Sequence, residues 1–525
     1  MRLTEEQQDI RQTGSEAVKR GDNLGVLAFA GAGKTTTLKS LAEAISMRGC
    51  YLAFNKSIAE EAKRKLVRSR CTAATMHSLA FGAVRDITSS PATLNARDFR
   101  DSGILTRVHV PRVRSWNPYR LSSAVVRTLA AFCNSDDSDI GIHHAEEAIM
   151  SSTGDPDLLH VEEKAEQARE AIRVLAGPLT DMAVMYWRDN VENGRFSHDI
   201  YLKLLDLDEG LRADAFRGFR YLRGDEAQDS NPVQHSILMK SGLPLIAVGD
   251  PYQQIYSWRG AENALAKLSG EVRYLTQSFR FGEDIAETAR IILASRPDGG
   301  PEQRLIGAGQ GIPADYRGPK AAIICRTNIG MIDEAIRVMR TGRKVSVDNV
   351  ESLVADVKSA EALQCGELNR VTSPEIKQFD SWDEMIAEAE EGGGALARLV
   401  QLVENNRVSE VESLLRHNTR PADADILICT AHRSKGLEFP AVVLGGDWKD
   451  IDAMRRRYKV AQRETAKHIT LAVEEWNALY VASTRPFKRL QGIEKIMSTE
   501  READMDFGDY TPPDWEAIDR QADPT

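Results

Sequence analysis

The sequence has few aromatic residues, few cysteines and no long hydrophobic run. Aromatic residues make up 6% of the 525 positions, and the six cysteines are far apart without a Cys-x-x-Cys pair. Neither a disulfide framework nor a cysteine-based zinc site is therefore expected. The longest apolar stretches, such as 24–30 and 243–248, fall short of the roughly 18–20 residues of a membrane span. The N-terminus also has no apolar stretch typical of a signal peptide, so we expect a reduced, cytoplasmic protein with no membrane partner.

The overall composition is that of a globular enzyme, and the length predicts three or four domains. With 42% hydrophobic and 28% charged residues, the chain is neither disordered nor fibrous. The net charge of −10 argues at first against a nucleic-acid partner. However, residues 500–525 hold nine acidic residues and two arginines, so most of the negative charge lies at this end. A local basic groove elsewhere is still permitted.

Strand-like apolar runs alternate with helical patterns along the chain, which is typical of parallel α/β sheets. We expect strands at 25–29, 51–54, 221–223, 245–248, 321–325, 426–429 and 441–444. These runs fall in two blocks, and each block is interrupted by a segment with helical periodicity. The predicted fold class is therefore α/β, with two parallel-sheet domains that each carry a mainly helical insertion.

The same pattern predicts the domain boundaries. The first α/β domain takes residues 1–86 and 206–283, with a helical insertion at 87–205. The second takes residues 284–345 and 424–497, with a smaller insertion at 346–423 that contains predicted helices at 351–363, 382–390 and 395–403. The acidic end, 498–525, is expected to be a disordered tail.

A glycine-rich loop follows the first predicted strand and precedes a predicted helix at 36–46. Its sequence, AFAGAGKT over residues 28–35, has Ala28 in place of the first glycine of the strict phosphate-loop pattern. Glycines let backbone N–H groups converge on phosphates, a lysine reaches the β- and γ-phosphates, and a hydroxyl binds Mg²⁺. The alternative is an ordinary glycine-rich turn. The predicted nucleotide-binding residues of this loop are Gly31, Ala32, Gly33, Lys34, Thr35 and Thr36.

An acidic pair, Asp225-Glu226, ends another predicted strand about 190 residues later. Two adjacent carboxylates can divide the work of hydrolysis, with Asp225 holding Mg²⁺ together with Thr35 while Glu226 deprotonates the attacking water. An isolated Asp-Glu pair would more simply be a solvated loop. Its position after a phosphate loop and before a further strand favours the catalytic interpretation.

These motifs belong to an ordered series that resembles superfamily 1A DNA helicases of the UvrD/Rep/PcrA type. The other members of the series are LTEEQ (3–7), FNK (54–56), TMHS (75–78), VGDPYQQIYSWRGA (248–261), QSFR (277–280), TAHRSKGLEF (430–439), and Glu475 followed by YVASTR (480–485). The segment YLAFNKSIAEEA (51–62) is most similar to the F-box DNA helicase branch, here without an F-box before the core. The resemblance implies two RecA-like motor domains.

The resemblance also implies an ATP site with Mg²⁺. Gln7 matches the residue that reads adenine, Phe279 the aromatic that stacks on it, and Glu438 the acid that contacts ribose. Gln253 matches the γ-phosphate sensor. Arg280 and Arg485 match the two arginines that stabilise charge on the transferred phosphoryl group, a role suited to a planar, permanently charged side chain. The implied catalytic residues are Lys34, Asp225, Glu226, Gln253, Arg280 and Arg485.

Further motif positions imply a channel for single-stranded DNA. Tyr256 and Trp258 alternate with Ser257 just after Gln253, and stacking of bases on aromatic rings tolerates any sequence. The alternative is that both rings belong to the core. The other positions that match channel residues of relatives are Asn55, Thr75, His77, Arg259, Thr430 and His432. Without their motifs the two histidines would be structural, and no metal-ligand set is expected among the ten histidines.

Four departures from the family pattern are evident. Thr36 replaces an arginine that usually follows Gly-Lys-Thr, and Pro486 replaces the alanine after Thr-Arg. Ala53 stands where relatives have a stacking phenylalanine, with Phe54 beside it. The insertion between Arg326 and Thr430 is much smaller than in UvrD-type relatives, where it grips duplex DNA.

The sequence therefore predicts an ATP-dependent 3′–5′ DNA helicase or translocase that acts on single-stranded, 3′-tailed or forked DNA; the polarity is implied by the resemblance alone. One alternative is a translocase subunit of a repair or phage-defence complex that strips proteins or senses DNA ends. A non-processive binding module is disfavoured because Lys34, Glu226, Gln253 and Arg485 are all present. A fused nuclease is disfavoured because no acidic-lysine nuclease cluster follows residue 497.

Overall fold

The computed structural model describes residues 3–53, 55–67, 69–91, 103–113, 116–151, 162–257, 260–392, 394–463 and 466–497. The chain forms two compact units, one of residues 1–29 and 33–275 and the other of residues 30–32 and 276–525. Phe54, Trp258, Arg259 and the predicted acidic tail lie outside the described residues.

The first unit is organised by parallel strands. They are β1 (Leu24–Ala28), β2 (Gly49–Ala53), β3 (Cys71–Thr75), β4 (Ser90–Pro91), β5 (Arg195–Phe196), β6 (Tyr221–Gly224), β7 (Leu245–Gly249) and β8 (Glu271–Leu275). Six of them form one sheet in the order β3-β2-β6-β7-β1-β8, and β4 pairs with β5. Every pairing is parallel. The central strand β7 is buried along its whole length, as expected for a parallel sheet covered on both faces.

Helices connect these strands and build the first insertion. They are α1 (Glu5–Arg20), α2 (Lys34–Ala44), α3 (Lys56–Lys65), α4 (Met76–Val84), α5 (Pro118–Asn134), α6 (Ile142–Met150), α7 (Glu162–Glu192), α8 (His198–Leu207), α9 (Glu209–Ala215), α10 (Pro232–Lys240) and α11 (Ala264–Lys267). The insertion and the sheet share one hydrophobic core: Leu129 and Leu179 of the insertion belong to the same cluster as Leu52 and Leu222 of the sheet.

The second unit is also built on parallel strands. They are β9 (Gln277–Ser278), β10 (Ile306–Gly307), β11 (Ala321–Cys325), β12 (Val345–Val347), β13 (Ile426–Thr430), β14 (Phe439–Leu444) and β15 (Pro486–Gln491). Five form a sheet in the order β12-β13-β11-β14-β15, and β9 pairs with β10. The α/β fold class with two parallel sheets is thus confirmed.

The helices of the second unit include those of the smaller insertion. They are α12 (Glu283–Ala294), α13 (Asn328–Met339), α14 (Val350–Gln364), α15 (Trp382–Gly392), α16 (Gly394–Glu404), α17 (Val408–His417), α18 (Ala431–Ser434), α19 (Ile451–Ala461), α20 (Ala466–Ser483) and α21 (Ile493–Met497). Leu353 and Leu414 of the insertion pack in one core cluster with Ile323 and Ile428 of the sheet. Within the described ranges, every helix is too short or too polar to cross a membrane.

Candidate functional site

The motif residues of the first unit collect at one edge of its sheet. The glycine-rich loop follows β1, Asp225-Glu226 follows β6, and Asp250 follows β7. In a parallel sheet the carboxyl ends of the strands share one edge, where α/β proteins place their ligands. β1 lies between β7 and β8, and its chain continues through α2 to β2 on the other side of β6 and β7. The fold therefore brings these separate motifs together.

The loop ends in a helix N-terminus that is suited to anions. Gly33 precedes α2 with a φ of 77°, and its backbone carbonyl accepts a hydrogen bond from the Thr37 hydroxyl at 3.1 Å. This left-handed conformation is one that glycine adopts readily. No side chain caps the first turn of α2, and the side chains of Thr35 and Thr36 are exposed. Uncapped N–H groups and the helix dipole favour a bound phosphate at this position.

Lys34 forms an ion pair with Glu226. Its Nζ lies 3.2 Å from the carboxylate, and both side chains are largely buried. Burial alone would lower the pKa of Lys34, but Glu226, Asp250 and Asp225 outweigh it and raise the pKa. The lysine therefore keeps its positive charge at the place where the sequence predicts a triphosphate.

Asp225 is held by its neighbours on both oxygens. Oδ2 accepts a hydrogen bond from the Tyr51 hydroxyl at 2.5 Å, and Oδ1 accepts one from the Glu226 N–H at 3.0 Å. Burial raises the pKa of Asp225, and the neighbouring Glu226 raises it further, while Lys34 opposes both. Glu226 has a φ of 51°, an uncommon value for a residue other than glycine and one found at functional sites.

Gln228 joins the acidic pair to the segment after β7 that contains the predicted γ-phosphate sensor, Gln253. Its Nε2 donates to Oε2 of Glu226 at 2.7 Å, and its Oε1 accepts from the Asp250 N–H at 3.0 Å. Gln253 is buried, and its Nε2 donates to Oδ2 of Asp250 at 2.6 Å. Burial raises the pKa of Asp250, and Lys34 opposes this. One hydrogen-bonded path thus runs from the lysine through the predicted general base to the predicted sensor.

Tyr51, Gln228 and Asp250 were not among the predicted site residues. A signal existed for each of them: Asp250 stands in the quoted motif three residues before Gln253, Gln228 follows Glu226 by two residues, and Tyr51 opens the quoted segment 51–62. Tyr51 reaches Asp225 only because β2 and β6 are neighbours in the sheet, with Tyr51 in register with Arg223. The sequence order does not reveal that pairing.

The predicted nucleotide residues of the second unit meet at the amino ends of β14 and β15. Nη2 of Arg280 lies 2.6 Å from Oε1 of Glu438, and Nη1 donates to the Thr484 carbonyl oxygen at 2.8 Å. Arg485 is buried, and its Nε donates to the Val481 carbonyl oxygen at 2.8 Å. The structure therefore brings Arg280, Glu438 and the end of the last motif together.

Phe279 is 39% exposed, whereas Ser278 before it is fully buried. The Phe279 N–H donates to the carbonyl oxygen of Gly31 at 2.9 Å, within the second unit, to which residues 30–32 belong. A Cβ at Gly31 would lie 2.5 Å from Oγ of Ser278, and the φ of Gly31 is 72°. Space and backbone conformation therefore both require glycine at this position.

Gln7 has a local structural role in the first unit. It is buried, and it forms a capping box at the start of α1, in which Oε1 of Gln7 accepts from the Thr4 N–H at 3.1 Å. Reciprocally, Oγ1 of Thr4 accepts from the Gln7 N–H at 3.2 Å. These bonds fix the position of the glutamine amide.

Three of the predicted DNA-binding residues are N-caps of helices that follow strands. Asn55 caps α3, accepting from the Ile58 N–H at 2.9 Å, and Thr75 caps α4. Thr430 caps α18 at the end of β13 in the second unit. Strand, polar cap and helix N-terminus thus recur in both units, and such N-termini favour phosphate groups.

The aromatic candidates are partly buried. His77 packs edge-on against the rings of His198 and Tyr201, with centroids 6.2 Å apart in each pair. Burial lowers the pKa of His77. His432, on α18, and Tyr256 are both half-buried.

A buried charge cluster supports the carboxyl edge of the second sheet. Oε1 of Glu475 lies 2.6 Å from Nη2 of Arg326 and 3.0 Å from Nη1 of Arg457. Burial alone would raise the pKa of Glu475, but the two arginines lower it to about 2. Asp447 accepts hydrogen bonds from the Arg326 and Thr327 N–H groups at 2.9 and 2.7 Å. Only Glu475 was recognised in the sequence, where it forms part of a motif.

Two family models match the chain in succession. The UvrD/REP helicase N-terminal domain matches residues 10–269, and the UvrD-like helicase C-terminal domain matches residues 284–494. Together they cover most of both units and all of the predicted catalytic residues except Arg280, which lies between the two matched ranges.

The chain is also similar in sequence to individual DNA helicases. The chain is 30% identical to F-box DNA helicase 1 of Gallus gallus over 95% of its own length and 50% of the relative. It is 28% identical to F-box DNA helicase protein 1 of Schizosaccharomyces pombe, over 93% of this chain and 57% of that protein. ATP-dependent DNA helicase Rep of Escherichia coli is 37% identical over 18% of this chain and 15% of its own. The chain thus spans about half the length of the F-box relatives.

Proposed function

The chain belongs to the UvrD/REP helicase family, and from this premise we propose that it is an ATP-dependent DNA helicase or translocase that moves 3′ to 5′ along single-stranded DNA. The observation that carries the proposal is the hydrogen-bonded path from Lys34 through Glu226 and Gln228 to Asp250 and Gln253. It joins a phosphate-binding lysine, a general base and a γ-phosphate sensor at one sheet edge. The 3′–5′ direction is carried by family membership.

Each of these residues has a separate role in ATP hydrolysis. Lys34 and the N-terminus of α2 bind the β- and γ-phosphates. Glu226 accepts a proton from the attacking water, and Gln253 contacts the γ-phosphate. ATP binding moves Lys34 from Glu226 to the phosphates, which frees the carboxylate to act as a base. Arg280 and Arg485 stabilise the charge that develops on the transferred phosphoryl group.

The residues present fit a magnesium ion. Mg²⁺ prefers oxygen ligands, usually one or two protein oxygens with water and phosphate completing the shell. The exposed Thr35 hydroxyl and the Asp225 carboxylate are of this kind, and Tyr51 orients the carboxylate. When bound, the ion neutralises charge on the β- and γ-phosphates.

Binding of the adenosine is assigned to Phe279, Gln7 and Glu438. The exposed face of Phe279 stacks on adenine, Gln7 reads its edge, and Glu438 contacts ribose. Glu438 pairs with Arg280 at 2.6 Å, so nucleotide binding exchanges this ion pair for contacts with ribose and phosphate.

The DNA strand is assigned to the cap residues and aromatic side chains. Asn55, Thr75 and Thr430 present helix N-termini to phosphates, while Tyr256 and Trp258 stack on bases. His77, Arg259 and His432 are the remaining residues assigned to strand binding. ATP binding and hydrolysis change the relative affinity of the two motor domains for the strand, and this alternation moves the protein.

The domain boundaries are part of the proposal. Motor domain 1A comprises residues 1–86 and 206–283 with insertion 87–205. Motor domain 2A comprises 284–345 and 424–497, with a reduced insertion at 346–423. That reduced insertion supports a second candidate function, a translocase subunit of a repair or defence complex that strips proteins from DNA or senses DNA ends.

A steady-state assay with and without a single-stranded oligonucleotide tests the motor function. We expect strong stimulation by the strand, and Glu226→Gln should bind ATP while losing roughly 10²–10⁴-fold in turnover. Lys34→Ala should lose ATP affinity as well. If DNA leaves the rate of the wild-type protein unchanged, the chain is a binding module instead of a motor.

A second assay separates the two candidate functions. Streptavidin displacement from a biotinylated single strand is compared with unwinding of a 3′-tailed duplex and of a 5′-tailed duplex, each in a single turnover. Fast displacement with weak unwinding indicates a translocase that needs a partner to separate strands. Efficient unwinding of the 3′-tailed duplex alone indicates a self-sufficient 3′–5′ helicase, and a preference for the 5′ tail contradicts the polarity.

A further inference from the structure

A cluster of metal-ligating side chains lies in the first insertion, outside the helicase motifs. Residues 135–141 connect α5 and α6, and Oδ2 of Asp137 in this loop lies 2.9 Å from Nε2 of His143 and 3.0 Å from Nε2 of His144. Consecutive helical residues ordinarily point about 100° apart. Here the two imidazole rings have centroids only 3.9 Å apart and converge on one carboxylate.

We propose that Asp137, His143 and His144 bind a divalent transition-metal ion of the Zn²⁺ class. Two imidazole nitrogens and one carboxylate oxygen are ligands typical of Zn²⁺, whereas Mg²⁺ and Ca²⁺ prefer oxygen alone. Bonds of about 2.0–2.1 Å at tetrahedral or octahedral angles separate neighbouring ligand atoms by about 2.9–3.4 Å. The two oxygen–nitrogen distances match this range, and all three ligand atoms lie within 4.8 Å of one another.

The surroundings of His144 suit ligation through Nε2. Its Nδ1 lies 3.2 Å from the Gly141 carbonyl oxygen, which can accept the Nδ1–H and leave the Nε2 lone pair for the metal. Metal-bound histidines usually donate their second N–H in this way. The Gly141 N–H also lies 2.9 Å from Nδ1, so the metal-free state can hold the other tautomer, with Nε2–H donated to Asp137. Oγ of Ser135, 3.1 Å from Nε2, is a further oxygen at the site.

The site combines an anchored ligand with an open side. The His144 side chain is 2% exposed and packs edge-on against Phe132, whereas His143 and Asp137 are 59% and 44% exposed. An ion can enter from solvent without unfolding the insertion. A nearby cation, Lys203, donates to the Ser135 carbonyl oxygen, but Asp206 neutralises it at 3.3 Å.

The expectation that the ten histidines supply no ligand set is therefore revised. His143 and His144 are adjacent in sequence, and adjacent histidines on a regular helix would not face one ligand. They converge because His143 is only the second residue of α6, so the loop before it can fold back over both rings.

The site is tested by titrating the full chain with Zn²⁺ after chelator treatment, with Co²⁺ absorption as a spectroscopic probe of coordination. We expect His143→Ala and Asp137→Asn each to weaken binding at least about 10–100-fold. His109→Ala, which removes an exposed histidine of the same insertion, and Cys365→Ser, which removes the exposed thiol, are the controls and should bind as the wild type does. Both ligand variants change exposed side chains, so the buried His144 need not be altered.

A thermal-unfolding measurement with and without Zn²⁺ provides a second readout. Zn²⁺ should raise the unfolding temperature of the wild type and of both controls, but not that of His143→Ala, because only a ligand that binds the folded state stabilises it. Equal Zn²⁺ affinity in the wild type and His143→Ala would overturn the proposal and leave the three residues as an ion-paired loop. Loss of binding in Cys365→Ser alone would also overturn it.

Discussion

The Tyr51 hydroxyl donates a 2.5 Å hydrogen bond to Oδ2 of Asp225, and this bond joins two neighbouring strands of the first sheet. The guanidinium of the fully buried Arg223 lies over the Tyr51 ring, 5.5 Å from its centroid, and donates to Sγ of Cys71 at 2.7 Å. The Arg223 guanidinium therefore packs against the face of the Tyr51 ring, while the Tyr51 hydroxyl holds the Asp225 carboxylate in place. Such support makes Tyr51 a positioning residue for the proposed magnesium ligand.

Tyr51→Phe tests this role. A hydrogen bond to a charged group is worth roughly 1.5–3 kcal/mol, so we expect ATP turnover to fall about 10-fold or more, and more Mg²⁺ to be needed for half-maximal rate. Tyr221→Phe is the control, because it removes a buried hydroxyl at the amino end of β6, away from Asp225. An unchanged Mg²⁺ dependence in Tyr51→Phe would show that the tyrosine serves the core alone.

Gln228→Glu tests the link between the general base and the γ-phosphate sensor. The variant keeps an acceptor for the Asp250 N–H but loses the donor to Glu226 and places a second negative charge beside it. We expect ATP affinity to remain within a few-fold, and turnover with single-stranded DNA to fall roughly 10–100-fold, as a misplaced catalytic group causes. Wild-type stimulation by DNA in this variant would contradict the proposed path.

Phe279→Ala tests the adenine site in the second unit. Stacking of a base on an aromatic ring contributes ~1–3 kcal/mol, so the KM for ATP should rise about 5- to 150-fold with little change in kcat. The thermal stability should change little because the ring is partly exposed. Ile306→Ala, an exposed apolar residue of the same unit, is the control. Equal KM values for the two variants would remove Phe279 from the nucleotide site.

Tyr256→Ala and Trp258→Ala test strand binding. Each should weaken binding of a labelled oligonucleotide by ~1–3 kcal/mol while ATP affinity stays the same. Salt should weaken the wild type steeply through counterion release, whereas the ratio between wild type and variant should vary little with salt. A fluorescence titration at two salt concentrations measures both effects, with Tyr274→Ala, an exposed tyrosine of β8, as the control. Equal affinities would assign the two rings to the core.

Glu475→Gln tests the buried charge cluster through its pH dependence. The folded-state pKa of Glu475 is lowered to about 2, from 4.5. The ionised carboxylate therefore stabilises the fold above pH 4.5, by roughly 3 kcal/mol. This contribution is lost as the pH falls from 4.5 towards 2. The variant should unfold at a lower temperature than the wild type at pH 7, and the gap should narrow below pH 4.5. A constant gap across this range would contradict the proposed pairing with Arg326 and Arg457.

Sequence patterns predicted the buried strands well and the polar strands poorly. The predicted strand at 321–325 coincides with β11, whose five residues are all fully buried. β3 was missed because its small residues, CTAAT, form no apolar run, and β8, EVRYL, was missed because it is a largely exposed edge strand. β15 was missed as well, because it begins with Pro486 and proline generally disfavours strands. The proline is tolerated here because it is the first residue of an edge strand.

For the site, the sequence identified residue types in motifs but not the partners that each residue contacts. The ion pair between Lys34 and Glu226 depends on β1 and β6 ending at one sheet edge. Thr75 and Thr430 each cap a helix, which is a common role of threonine, and the family resemblance alone implies that they also bind DNA. Contacts between distant segments need the strand order, which no local pattern encodes.

The smaller insertion cannot be treated as a removable appendage. Its residues Leu353 and Leu414 complete the same hydrophobic core as Ile323 and Ile428. Excising α14–α17 would therefore remove a large part of this shared core, expose its remaining apolar side chains to water and destabilise the unit. For evolution, this means that the segment can be shortened or lengthened only at its outer loops. For protein engineering, a minimal motor made from this chain has to retain it.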